Sequence, residues 1–249
     1  MITALIVMYE RGPTLDQVRS ALGAAGLVAS PTAGGLTLHG EAGSTAVRLL
    51  DEPLGDSRLG ETALHSRWEA ATAAINRHRA HARISSEDDD DLAPLDRLQG
   101  LTRVAAALLG LPGALALYAE CGSALTDAAE ALRRITSSPT TPPLDLWLGV
   151  RTFEVADARG FFLDTLGMGQ LGLPDLEAYA AEGAGQKEVA AWLQNLALYL
   201  AQEGAPARLR QGDTLDGPDD LPWRTTEDVA TVEPARPVLR FVPVAPDRS

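Results

Sequence analysis

Residues Leu146–Glu177 read LWLGVRTFEVADARGFFLDTLGMGQLGLPDLE. Two apolar runs, Leu146–Val155 and Phe161–Leu166, flank the polar stretch Ala156–Gly160. That pattern predicts a β-hairpin. Glycines 167, 169 and 172 and Pro174 then crowd into a short leucine-rich stretch and imply a backbone shape to be held. The stretch closes on Asp175 and Glu177. With Val155 set against Phe161, strand alternation puts Glu154 and Asp164 on one face.

Outward from this hairpin, the N-terminal region repeats the same grammar. Thr3–Tyr9 reads as a buried strand, and Thr14–Gln17 (TLDQ) is a capping box, in which hydroxyl and amide satisfy each other's backbone N–H. Leu15, Val18, Leu22 and Ala25 follow at helical spacing up to Gly26. Strands are expected at Leu36–His39 and Thr45–Leu50, a helix through Leu64, Trp68, Ala71 and Ile75, and a strand at Ala80–Ser85. The order is β-α-β-β-α-β, the ferredoxin-like arrangement. A long Ala/Leu helix over Leu92–Leu109 carries more than one apolar stripe, so it should be buried on two sides.

Downstream the order recurs. A strand is expected at Ala114–Ala119, a helix at Thr126–Ile135, then the hairpin. A helix over Gln186–Gln202 follows, with Val189, Trp192, Leu193, Leu196 and Leu200 on one face. Closing strands are expected near Ala207–Arg210 and at Val238–Val244. Ser137–Pro143 and Gly212–Thr226 read as turn-rich loops. The expectation is an α+β chain of two βαββαβ halves, 1–91 and 112–249. They are joined by a connecting helix over 92–111 into one pseudo-symmetric unit.

Composition narrows the partners. Formal net charge is −13 over 249 residues. That field repels phosphate backbones and anionic lipid, so nucleic acid and membranes are excluded and a basic protein is favoured. Cys121 is the single cysteine, which removes any intramolecular disulfide. The start lacks a basic n-region and a cleavage site, and no apolar run reaches membrane-helix length. A cytoplasmic setting is expected.

His78–His81 (HRAH), Leu98–Leu109, Ala114–Tyr118 (ALALY), Thr165–Met168 (TLGM) and Leu173–Glu177 (LPDLE) together resemble a bacterial family, domain of unknown function 4261. Gly167, Pro174 and Glu177 are the most specific part. The resemblance extends over most of the chain, including Gly212–Thr214 and the closing strand. It implies an α+β fold and a bacterial cytosolic setting, with no reaction, cofactor or catalytic residue attached.

Site candidates follow from residue type. Gly167, Met168, Gly169 and Gly172 could bring backbone N–H groups to an anion or a peptide. The loop carries no Lys or Arg and fits neither a Walker loop nor a dinucleotide fingerprint, so scaffold is the stronger reading. Glu154, Asp164, Asp175 and Glu177 could gather as a metal or acid–base group, with no histidine nearby in sequence. Cys121 falls where a strand is expected to meet a helix, beside Glu120 and without a base; Ser123 lacks the glycines of a nucleophile elbow. His78 and His81 are three apart before Asp88–Asp91, a weak metal pattern because a zinc helix needs i, i+4. No cofactor is expected. The reading favours a non-catalytic, acidic protein-binding module with an immunity-like or accessory role in a toxin system. Its rival is a small-ligand binder or hydrolase using carboxylates and a histidine between the halves.

Overall fold

Strand β1 (Ala4–Tyr9) is buried at every position. A strand with apolar side chains on both faces must be covered on both, and β1 is the centre of a seven-stranded sheet ordered β2-β3-β4-β5-β1-β6-β7. The computed structural model describes residues 3–40, 43–66, 68–87, 92–138, 141–155, 160–181, 185–203, 209–218 and 221–244. The other strands are β2 (Ala29–Thr32), β3 (Gly35–Gly40), β4 (Gly43–Leu50), β5 (Ala80–Glu87), β6 (Ala114–Ala119) and β7 (Ala124–Asp127). Every pairing in this sheet is antiparallel.

The ferredoxin-like expectation is corrected here. That order would set the third strand of the motif, now β4, beside β1. Instead β1 lies between β5 and β6. Since both are antiparallel to β1, they run parallel to each other. Helix α4 (Pro94–Leu109) is therefore the crossover of a β5-α4-β6 unit split by β1, rather than a connector between halves. It is buried on two sides, as its stripes imply, against the sheet, α1 (Leu15–Ala24) and α5 (Ala128–Ser137). Tyr9 Oη donates to the Leu108 carbonyl at 2.9 Å. The capping box closes α1 as read, with Gln17 N–H donating to Thr14 Oγ1 and Thr14 N–H to Gln17 Oε1. The helix expected through Leu64 and Ile75 is broken into α2 (Leu59–His65) and α3 (Ala71–Arg77). Both cover the opposite face, over Ile6, Met8, Ala116, Tyr118 and Leu125.

The compact units are 1–147 and 148–249. Ala114–Ser137, expected in the second half, thus lies in the first, because β6 finds its partner in β1. Short helix α6 (Leu144–Trp147) closes that unit, with Trp147 Nε1 donating to Thr102 Oγ1 at 2.8 Å.

The second unit holds the expected hairpin: β8 (Gly149–Val155) pairs with β9 (Gly160–Leu166). Its sheet runs β11-β12-β13-β10-β9-β8, with β10 (Asp175–Ala181), β11 (Thr214–Asp216), β12 (Pro222–Val229) and β13 (Pro237–Pro243). Only β10 and β13 pair in parallel among the described strands. Helix α7 (Gln186–Glu203) covers one face through the predicted stripe. Trp192 lies 5.3 Å from the Trp223 ring and edge-on to Phe241 at 5.2 Å; such pairs add about 0.5–1.5 kcal/mol each beyond their buried area. No described strand occupies 209–210, part of the expected Ala207–Arg210 strand, and 207–208 lie outside the described residues. No described helix is long and apolar enough to cross a membrane.

Candidate functional site

On the sheet face turned away from Phe241 and α7, register aligns Arg151, Asp164, Glu177 and Arg240 in one row across β8, β9, β10 and β13. Asp164 and Glu177 are directly opposed and both fully buried. Like charges so placed are destabilising unless neutralised. Arginine neutralises them. Arg151 grips Asp164 with Nε at 3.0 Å and Nη2 at 2.5 Å, and Arg240 Nε meets Glu177 Oε2 at 3.0 Å. Arg236 bridges two carboxylates, Asp164 at 2.6 Å and Asp175 at 2.8 Å. Burial works against the Arg236 charge, yet Asp164 and Asp175 hold its pKa above the ordinary value. Burial pushes Asp175 up, opposed by the Met168 N–H, Arg236 and Thr165.

The same groups reach outward to the loop between β12 and β13, residues 230–236. Arg151 Nη1 donates to the Glu233 carbonyl at 2.9 Å. Arg236 Nη1 donates to the carbonyls of Val232 and Pro234. Glu177 accepts Thr231 N–H at 2.8 Å and Thr231 Oγ1 at 3.2 Å. Arg240 Nη2 donates to Val229 O and Thr231 Oγ1. The loop's Thr231, Glu233, Pro234 and Ala235 are nonetheless exposed. A ladder of buried ion pairs thus holds one surface loop from beneath.

The sequence candidates divide around this ladder. Asp164, Asp175 and Glu177 belong to it. Glu154 does not: it pairs with Phe161, one residue off the expected register, and so faces the other side of the sheet, exposed. A shift of one residue exchanges the faces of a strand. The glycine-rich stretch is a tight 3-10 turn, Met168–Leu171, between left-handed Gly167 (φ 115°) and Gly172 (φ 73°). Asp175 closes it, accepting Met168 N–H at 2.9 Å and Thr165 Oγ1 at 3.1 Å. The N–H groups of 170, 172 and 173 donate to carbonyls within the turn, which occupies the donors an anion cradle would need. Met168 is buried; Gly169 is exposed.

In the first unit, His78 Nδ1 bonds the Ile75 carbonyl and Nε2 accepts Leu54 N–H at 2.8 Å. His81 Nδ1 donates to the Glu52 carbonyl at 2.9 Å. Both rings are committed to backbone, and the described residues contain no group of three metal-ligating side chains; Asp88–Asp91 lie outside the described residues. Cys121 lies in the β6–β7 turn, not at a helix start, with Ser123 left-handed at φ 45°. Burial pushes the Cys121 thiol up and Glu120 adds to that, against Arg58 and Arg83. It is a poor nucleophile.

The ladder's cations do not stand out in the sequence, although a signal for them is present: Arg151 and Arg240 sit inside apolar strands, GVRTF and PVLRF. An arginine there needs a buried counter-charge.

No curated protein and no solved structure matches this chain. A family model described as Domain of unknown function (DUF4261) matches residues 164–242, which bears out the resemblance from β9 to β13, with Asp164, Asp175, Glu177, Arg236, Arg240 and the loop inside the match and Arg151 outside it.

Proposed function

We propose that this chain is a non-catalytic, acidic protein-binding module that presents the loop 230–236 to a basic partner. One observation carries the reading: Arg151, Arg240 and Glu177 bond the backbone or hydroxyl of this exposed loop from buried or half-buried positions, and the loop's own Arg236 is tied to buried Asp164 and Asp175. A loop fixed before binding loses little ordering entropy on contact, an advantage of about 0.5–1.5 kcal/mol for each side chain that need not be immobilised. Binding residues are often carried on loops held by a rigid scaffold. Exposed Glu233 and the net charge of −13 favour a basic surface opposite it. A bacterial cytosolic setting with an immunity-like or accessory role fits that chemistry.

The test is affinity capture from native lysate with the wild-type chain and with Glu233→Arg. Among the described residues the exposed Glu233 side chain has one hydrogen bond, from Ala235 N–H, so the variant should fold. The expected result is one stoichiometric basic protein retained by wild type and lost by the variant. Retention indifferent to the substitution would overturn the proposal. So would a metal or small-molecule thermal shift of several degrees with no protein retained, which would favour the ligand-binding or hydrolytic alternative.

A further inference from the structure

The face of the first sheet that α2 and α3 cover has an open half, and that half is roofed by charge. Ile6 of β1 is aligned with Arg83 of β5, and Arg83 with Arg48 of β4. Both guanidinium side chains therefore leave the sheet on Ile6's face, as direct cross-strand neighbours. Arg83 reaches over β1 to Glu120, bonding both carboxylate oxygens at 3.0 and 2.6 Å. Glu120 is held beside β1, its N–H donating to the Ala4 carbonyl. Beside it Arg58 grips Asp56 at 3.1 and 2.8 Å, and Tyr118 Oη donates to the same carboxylate. Arg48 is exposed and has no ion-pair or hydrogen-bond partner among the described residues.

Arg58 and Arg83 thus each chelate a carboxylate, and Arg48 occupies the strand position beside Arg83. Like charges directly opposed across strands lower stability, so the Arg48–Arg83 pair does not serve the sheet. It leaves Arg48, a guanidinium with no partner among the described residues, at the strand position beside Arg83, whose anion is replaceable. The Arg83–Glu120 pair keeps side-chain exposures of 30% and 25%, within reach of solvent and ligand. Forked guanidinium donors match the paired oxygens of a carboxylate or phosphate. The chain's overall negative charge opposes an anion, but salt at about 0.1 M screens it beyond about 10 Å. Exposed Asp51 and Glu52, just past the end of β4, are the nearest acids in sequence to temper the site.

We propose that Arg48 and Arg83 form an oxyanion-binding site for a carboxylate or phosphate group, with Glu120 as the resident anion that a ligand displaces from Arg83. The site belongs to the unit 1–147 and the 230–236 loop to the unit 148–249, so the two proposals are tested by different variants.

The test is calorimetric titration of the full chain with inorganic phosphate and, separately, with glutarate. Saturable binding is expected for at least one. Arg48→Ala should weaken it about tenfold or more, the scale of one lost charge-assisted pair. Arg48→Glu, at the same exposed position, should abolish it. Glu120→Gln should tighten it about threefold or more, because the internal competitor loses its charge; a merely structural ion pair would not behave so. Tighter phosphate binding assigns a phosphorylated ligand, and tighter glutarate binding an acidic peptide. Binding that never saturates, or that is the same in wild type and Arg48→Glu, overturns the site. If Glu120→Gln folds and binds no tighter, the displacement is overturned.

Discussion

Asp164 illustrates what a buried carboxylate costs and how this chain meets the cost. It is fully buried and gripped by Arg151 and Arg236. Asp164→Asn keeps the shape and removes the charge, leaving two guanidiniums under-compensated. Urea unfolding should register a loss of about 3–5 kcal/mol, the scale for breaking one side of a buried pair. The double replacement Arg151→Met with Asp164→Leu should cost clearly less than Asp164→Asn alone; an equal or greater cost would show that the ladder is not what the single variant breaks. His78 gives a pH prediction. Burial lowers its pKa below 6.5, helped by the charges of His81 and Arg79 and opposed by the Ile75 carbonyl. A depressed folded pKa means the unfolded chain takes up the proton first. Stability is therefore complete above about pH 6.5 and falls as pH drops from there toward the folded value. Melting temperature between pH 8 and 5 should decline, and His78→Gln should flatten the decline. At this scale the sequence exposes the acids and hides their partners. Asp164, Asp175 and Glu177 stand out in LDTLG and LPDLE, whereas Arg236 is brought to them only by the return of β13 alongside β10.

At the scale of elements, local chemistry is legible and pairing is not. The capping box of α1, the β8–β9 hairpin and the inner stripe of α7 all rest on residues a few positions apart. The register of β8 on β9 differs by one residue from the expected one, since a polar turn of four or five residues admits either count, and that slip moves Glu154 to the other face. Strand β10 is hidden in the sequence although Leu176, Ala178 and Ala180 alternate with Glu177 and Tyr179, because the glycine-rich approach masks its start. Strand β12 reads as linker because its buried positions alternate Trp223 with Thr225, and a threonine does not advertise a core. The turn between β9 and β10 supplies a test of how much its glycines hold. Gly172 sits at φ 73°, and a Cβ there would meet nothing within 4 Å, so Asn, which tolerates the left-handed region, should cost under about 1 kcal/mol. Gly167, buried at φ 115°, lies where side chains are excluded, and Gly167→Ala should cost about 1–3 kcal/mol. Equal losses at the two positions, measured by urea unfolding, would remove the backbone argument.

At the scale of the whole molecule, β1 decides the organisation and the sequence cannot announce its neighbours. Its full burial is legible in TALIVMY. That β5 and β6 rather than β4 flank it is not, because the choice depends on α4 crossing over the sheet, a contact between residues far apart in the chain. Reassigning β6 to the first sheet leaves 148–249 with a sheet, a covering helix and an ionic ladder of its own. The partners of Asp164, Asp175 and Glu177 all lie within it, as does the trio Trp192, Trp223 and Phe241. A chain of about 100 residues can bury enough surface to fold alone. The segment 148–249 expressed by itself should therefore unfold cooperatively in urea, with near-ultraviolet dichroism from its two packed tryptophans lost in the same transition. Dye binding typical of a molten globule and a featureless near-ultraviolet spectrum would refute this. Asp164→Asn in the isolated segment should lower the midpoint as in the full chain, because everything that the aspartate bonds to travels with it.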